Sequence, residues 1–247
     1  MKKYLKAEYV TNGNLSAIQE KLTEYAASDK WGSNRSCYGC LLCLLGFFVI
    51  GPLAPILGIL VYLYYNRYDT EDRRYQLPTQ ILAALNARLD PNKDMLLRVD
   101  FRESKAAPFI TAKRDETAKG LLATKVMVTE YAHTWLELQM YTQRGQRLAV
   151  KITRAGRETV RGSGKSQQTT NSFAEIASLS LENFDRGSQE VVELQMPDSA
   201  KFVKLLAATT GAAVAIQATG SSQGVANATP PFDGTDLAVL FELALKQ

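Results

Sequence analysis

The residues with the sharpest chemical spacing are three cysteines, Cys37, Cys40 and Cys43, in a C-x2-C-x2-C run. That spacing matches half of an iron–sulfur ligand set, but the chain holds no fourth cysteine, and Leu41 and Leu42 would place a cluster in apolar surroundings. No metal or other cofactor is therefore expected. Beside an apolar segment the same three thiols are candidate acylation sites, because each acyl chain adds buried methylenes; otherwise they are small packing residues. With no cysteine elsewhere, the rest of the chain cannot form a disulfide.

Gly162-Ser163-Gly164-Lys165-Ser166 has the ending of a phosphate-binding loop, but Thr159 stands where the first glycine is required. A turn is the simpler reading. His133 is the sole histidine, so a His-based zinc site is excluded and any Ser-His-Asp arrangement would have to use it. It is placed in a turn beside Trp135 and read as a solvated or capping residue. Acid pairs such as Asp115-Glu116 lie among basic residues, where solvated faces explain them. No acid–base pair, and hence no enzyme activity, is expected.

The element that must position all of these is the charge-free run Ser36 to Asn66, 31 residues long, with the apolar stretch Leu41 to Leu63 inside it. Those 23 residues, fifteen of them Leu, Ile, Val or Phe, would rise about 34 Å as one helix, against a hydrocarbon thickness of about 30 Å. Trp31 and Tyr38 on one side, and Tyr62, Tyr64, Tyr65 and Tyr68 on the other, have the character of aromatic belts at headgroup depth. Embedding in a membrane is thus expected. A mean hydropathy of −0.15 excludes a polytopic transporter.

Gly51-Pro52-Leu53-Ala54-Pro55 at the midpoint implies a kinked segment, either one bent span or a hairpin. The span is preferred, because a turn within hydrocarbon leaves polar groups unsatisfied. Lys21, Lys30 and Arg35 balance Arg67, Arg73 and Arg74, which leaves orientation open and is what a hairpin with both ends on one side would show. No cleaved signal precedes the segment, so the cytoplasm is favoured for the soluble part. Pro52, Ala54, Pro55 and Gly58, with Trp31, Tyr62 and Tyr65, form the expected membrane and partner interface; Ala54 and Gly58 would let another helix approach closely.

The organisation that follows is α+β: a mainly antiparallel sheet domain with a few helices, plus the Pro-kinked hydrophobic segment. Residues 1–36 read as a strand–helix unit, with Leu15, Ile18, Leu22 and Tyr25 on one helix face; 37–66 is the membrane segment; 67–94 a polar linker and helix; 95–247 the soluble domain. The helix at 78–89 begins with Pro78 in its first turn. Strands are expected at 95–102, 121–130, 134–142, 147–154, 158–161, 189–196 and 212–218, with turns at Arg144-Gly145-Gln146 and Ala155-Gly156-Arg157 and helices at 198–208 and 236–246. The severed N-terminal strand could complete the later sheet, which would bring both ends of the apolar segment to one side.

Lys plus Arg number 29 against 25 Asp plus Glu, a formal +4, too small to imply nucleic acid as a partner. The concentrated basic residues are Arg144, Arg147, Lys151, Arg154, Arg157 and Arg161, which on a hairpin could contact anionic lipid headgroups or form a solvated face. The expected role is a membrane-anchored, non-catalytic accessory or scaffold subunit whose partners are membrane lipids and other membrane-protein subunits. The alternatives are a peripheral anionic-lipid-binding module and a membrane-tethered enzyme.

Overall fold

The computed structural model describes residues 4–50, 53–118, 124–162, 168–182, 204–210, 213–223 and 236–237. It is α+β, as the patterning implies. The order is β1 (Glu8–Gly13), α1 (Leu15–Ile50), α2 (Leu53–Asn66), α3 (Arg73–Leu85), β2 (Met95–Asp100), β3 (Ile110–Ala118), β4 (Thr124–Tyr141), β5 (Arg147–Arg161), β6 (Gln168–Glu182), β7 (Lys204–Thr210) and β8 (Ala213–Gln223). Among the described residues the eight strands make one sheet, β1-β2-β4-β5-β6-β8-β7, with β3 also paired to β4.

Alternation of side chains puts one face of this sheet in the core. Leu97 pairs with Leu138 and Leu138 with Val150, while Val99 pairs with Leu136 and Leu136 with Ile152. Every one of these is fully buried, against Leu15, Ile18, Leu22 and Tyr25 of α1 and Leu77, Ile81, Leu82 and Leu85 of α3. On the other face Arg98 stands opposite Glu137, which stands opposite Lys151, in a cross-strand row of charges.

β1 pairs antiparallel with β2, from Glu8 opposite Asp100 to Gly13 opposite Met95. The N-terminal strand therefore completes the sheet, and Tyr4, Tyr9, Tyr25 and Phe101 lock it to α1 in a chain of edge-to-face contacts with centroids 4.6 to 6.0 Å apart.

Several local expectations are corrected. The apolar segment is not one bent span: α1 continues from the N-terminal helix without a break, and α2 returns antiparallel against it. Pro55 sits in the first turn of α2, where a missing N–H does no harm; Pro52 lies outside the described residues. No helix among the described residues is long and apolar enough to cross a membrane.

α3 begins at Arg73, so Pro78 lies inside it. The strands expected at 121–130 and 134–142 are one strand with a bulge at Trp135, and those at 147–154 and 158–161 are also one. Gly156 is thus in mid-strand; the Tyr131 ring lies over it, and an added Cβ would also stand 2.8 Å from the Ser172 carbonyl oxygen. The glycine serves close packing there. Gly145, with φ of +78°, does make the expected turn between β4 and β5.

Residues 204–208 are strand rather than helix, the β3 and β6 strands have no counterpart in the sequence reading, and the 212–218 strand is present as β8. The expected strand at 189–196, and the phosphate-loop-like residues 163–167, lie outside the described residues, as does all but the start of the helix at 236–246.

Candidate functional site

The helical hairpin is built on small residues. Gly32, Ser36, Gly39 and Cys43, spaced four, three and four apart, share one side of α1, with Gly39 and Cys43 against α2 and Gly32 against Tyr68 just beyond it. An added Cβ on Gly32 would lie 2.7 Å from Tyr68 Cβ, and one on Gly39 would lie 2.6 Å from the Gly58 oxygen. Ala54 is fully buried and Gly58 is buried with it. The close approach expected of Ala54 and Gly58 is therefore made to α1 of the same chain, and these two residues are not offered to a second protein. Cys43 Sγ lies 3.5 Å from the Pro55 carbonyl oxygen and donates to it, whereas Cys37 and Cys40 are exposed.

Outside the seam the hairpin is apolar all round. Twelve of the fifteen exposed large hydrophobics among the described residues lie between Tyr38 and Tyr64, including Leu41, Leu44, Leu53, Ile56, Leu60 and Leu63. A surface so concentrated is what water-soluble faces avoid. The 14 residues of α2 rise about 21 Å, and the apolar end of α1 from Cys37 to Ile50 is as long.

At the base of the hairpin the rings gather. Trp31 lies 5.1 Å from Tyr65 and 5.4 Å from Tyr68, and Tyr64 lies 5.0 Å from Tyr65, all edge to face. Arg35, one turn beyond Trp31, stacks 4.9 Å over its indole; Arg67, three residues beyond Tyr64, lies 4.2 Å over that ring and donates to the Tyr68 hydroxyl at 2.8 Å. Tyr62 is on the exposed flank of α2 above this collar.

Below the collar the two feet of the hairpin are tied together and to the sheet. Asp29 of α1, 4% exposed, accepts from the backbone N and hydroxyl of Thr70, the latter at 2.9 Å. The Tyr75 hydroxyl stands 3.2 Å from Asp29 and 2.9 Å from Asp72. Burial first, and the neighbouring Asp72 as well, raise the Asp29 carboxyl to about 6, the Thr70 bonds opposing. With one hydroxyl proton between two carboxylates, a protonated Asp29 supplies the missing donor.

Glu71 and α3 then meet the sheet. Arg154 of β5 bonds Glu71 at 2.8 Å and Glu175 of β6 at 2.7 Å, and Arg73 reaches the other Glu175 oxygen at 2.7 Å. Arg74 bonds Glu71 at 3.1 Å and donates to the carbonyl oxygens of Asp100 and Arg102. Burial works to raise the Glu71 carboxyl, but Arg154 and Arg74 outweigh it and hold it below the ordinary value. The same balance raises Arg154, where the two glutamates overcome burial.

His133 is in β4, not in a turn, and is 1% exposed. Its Nδ1 lies 3.2 Å from Ser104 Oγ, its Nε2 lies 3.2 Å from Asp100 Oδ2, and Phe109 stacks on it at 3.8 Å. The Asp100 contact is close but out of line with the ring N–H direction, so it is an electrostatic approach rather than an aligned bond. Burial, with Arg74 close by, lowers the imidazole below its ordinary value. Asp100 is kept below its own value against burial by two bonds from Arg102 and by His133. The three residue types of a hydrolytic triad are thus together, but Ser104 is only 8% exposed and the imidazole is covered by Phe109. Arranged so, they tie the β2–β3 connection to β4.

The basic strands are largely neutralised. Lys151 pairs with Glu137 at 3.3 Å, Arg157 with Glu116 at 3.4 Å, Arg154 lies in the cluster above, and Arg147 donates to Gln139 at 2.7 Å. Arg144 and Arg161 stay exposed at opposite ends of β5. What the sequence reading missed is that Glu71, Asp29 and Glu175 take part: Asp29 and Glu175 are single acids in ordinary stretches, and Glu71 is one of three acids, with Asp69 and Asp72, in a polar stretch. Arg35 and Arg67 had a local signal, a cation one turn from an aromatic residue at each end of one apolar run.

No family model, curated protein or solved structure matches this chain.

Proposed function

We propose that this chain is a non-catalytic accessory or scaffold protein anchored in one leaflet of a membrane by the α1–α2 hairpin, presenting its sheet to other membrane-protein subunits. The observation that carries the reading is the pairing of β1 with β2 in one sheet, with the whole apolar hairpin inserted between them in sequence. Both feet of the hairpin then leave the same sheet, so the segment enters and returns on one side.

Length and composition support the same depth. Each apolar arm of about 21 Å falls short of the roughly 30 Å of hydrocarbon but exceeds the roughly 15 Å of one leaflet, leaving its base among the headgroups. That base carries the Trp31, Tyr64, Tyr65 and Tyr68 collar. Within the two arms, the Gly39–Gly58 seam and helical hydrogen bonding satisfy the backbone internally. A scaffold role is supported by the use to which the chemically capable side chains are put: Arg154, Glu175 and His133 are engaged inside the protein.

The test is reconstitution of the full chain into liposomes, with a different epitope at each terminus. The anchor reading expects the protein to stay with the vesicles through an alkaline wash, and external protease to remove both epitopes. Protection of one epitope would establish a crossing and refute the hairpin anchor. Recovery as a defined oligomer in detergent-free buffer would show that protein, not lipid, covers the apolar surface.

A further inference from the structure

The fold treats two sets of basic residues differently. On the sheet, Arg98, Lys151, Arg154 and Arg157 each meet a carboxylate. At the hairpin base, Arg35 and Arg67 are exposed and meet none among the described residues; their guanidinium planes lie instead over Trp31 and Tyr64. Arg35 also lies 5.9 Å from the Tyr65 centroid and Arg67 4.8 Å from that of Tyr68, so each cation rests between two rings of one continuous cluster.

Stacking fixes a guanidinium in position while leaving its edge N–H groups free, and these suit the paired oxygens of a phosphodiester. Arg67 commits part of its edge to the Tyr68 hydroxyl, and Arg35 commits none to the described residues. The two arginines end the charge-free run of 31 residues at either side, and the antiparallel packing of α1 on α2 brings those ends to one level. That level is the collar, where apolar surface stops.

We infer that Arg35 and Arg67 form a binding site for the phosphodiester headgroups of anionic phospholipids, held in place by the Trp31, Tyr64, Tyr65 and Tyr68 rings. This rests on the leaflet anchor proposed above and names the lipid class it prefers. It also places the headgroup contact away from Lys151, Arg154 and Arg157, whose charges meet carboxylates within the sheet. The hairpin supplies affinity for any bilayer, and the arginine pair adds the preference for negative charge.

The experiment is sedimentation of the full chain with phosphatidylcholine vesicles and with vesicles also containing phosphatidylglycerol. Binding to both is expected, with the anionic vesicles preferred. R35Q/R67Q should keep the binding to neutral vesicles and lose the preference by about 30-fold, roughly fivefold per arginine, equivalent to about 1 kcal/mol each. R157Q/R161Q, on the sheet, should keep it. Equal binding of the wild type to both vesicles, or an unchanged preference in R35Q/R67Q, would overturn this inference and leave the anchor standing. Absence of binding to either vesicle would overturn both. Release from anionic vesicles by inorganic phosphate at matched ionic strength would assign the site to a soluble anion and overturn the lipid.

Discussion

Gly39 and Gly58 meet backbone to backbone: a Cβ added to Gly58 would stand 2.6 Å from the carbonyl oxygen of Gly39, and one added to Gly39 would stand 2.6 Å from that of Gly58. Neither oxygen can swing aside, since both belong to helix backbone. Gly58→Ala should therefore lower unfolding stability in detergent by about 1–3 kcal/mol, the usual penalty of overpacking. Leu57→Ala, on the exposed side of the same turn, should change it by less than about 0.5 kcal/mol. Equal effects at the two positions would refute the seam.

Glu175 is the charge on which the sheet end of the hairpin rests, fully buried between Arg73 and Arg154. Glu175→Gln keeps the shape and removes the charge, leaving two guanidinium groups underpaired in a dry site. A loss of about 3–5 kcal/mol is expected in denaturant unfolding. A change below about 1 kcal/mol would mean that the cluster is hydrated.

Asp29 gives the protein a pH dependence of defined sign. Its carboxyl is raised from the ordinary 3.8 to about 6, so between those values the folded state holds a proton that the unfolded chain releases. Its contribution to stability is greatest below that window and is lost as pH rises through about 6. Asn at this position keeps the acceptor for Thr70 and carries its own N–H toward Tyr75. Melting temperatures on both sides of pH 6 should show the wild type losing stability relative to Asp29→Asn as pH rises; parallel curves would refute the proton.

The three thiols should separate by reactivity. Cys37 and Cys40 are exposed, while Cys43 points into the seam and donates to the Pro55 carbonyl oxygen. In detergent, a variant retaining only Cys43 should react with a small maleimide at least roughly 10-fold more slowly than one retaining only Cys37, because Cys43 is half-buried against α2 and access limits its thiol. Similar rates would mean that α1 and α2 do not pack through this face.

Much of the fold was legible where one local period sufficed. The Leu15, Ile18, Leu22, Tyr25 stripe was read from helical spacing and is buried, and the helix expected at 78–89 overlaps α3, whose Ile81, Leu82 and Leu85 are buried with it. β6 escaped notice because its inward residues, Phe173, Glu175, Ala177 and Leu179, include a charge and alternate with Ala174, Ile176 and Ser178, two of them apolar, which weakens the period-two signal. Gly156 suggested a turn because a sequence shows the missing side chain but not the Tyr131 ring that occupies the space. The basic run at Arg144 to Arg161 suggested a headgroup surface because the acids that answer it, Glu116, Glu137 and Glu175, come from other strands.

By itself the sequence determined what each segment would bury: an apolar, charge-free stretch with aromatic ends, amphipathic helices beside it, and strands with one apolar face. These follow from the transfer energetics and spacing of neighbouring residues, which need no distant partner. Tertiary structure alone decided that β1 joins β2 across the hairpin, that the hairpin folds back on its own glycines, and that Arg35 and Arg67 reach one level. Those outcomes depend on pairings between residues far apart in the chain, whose selection is made by the packed whole and is written in no local pattern.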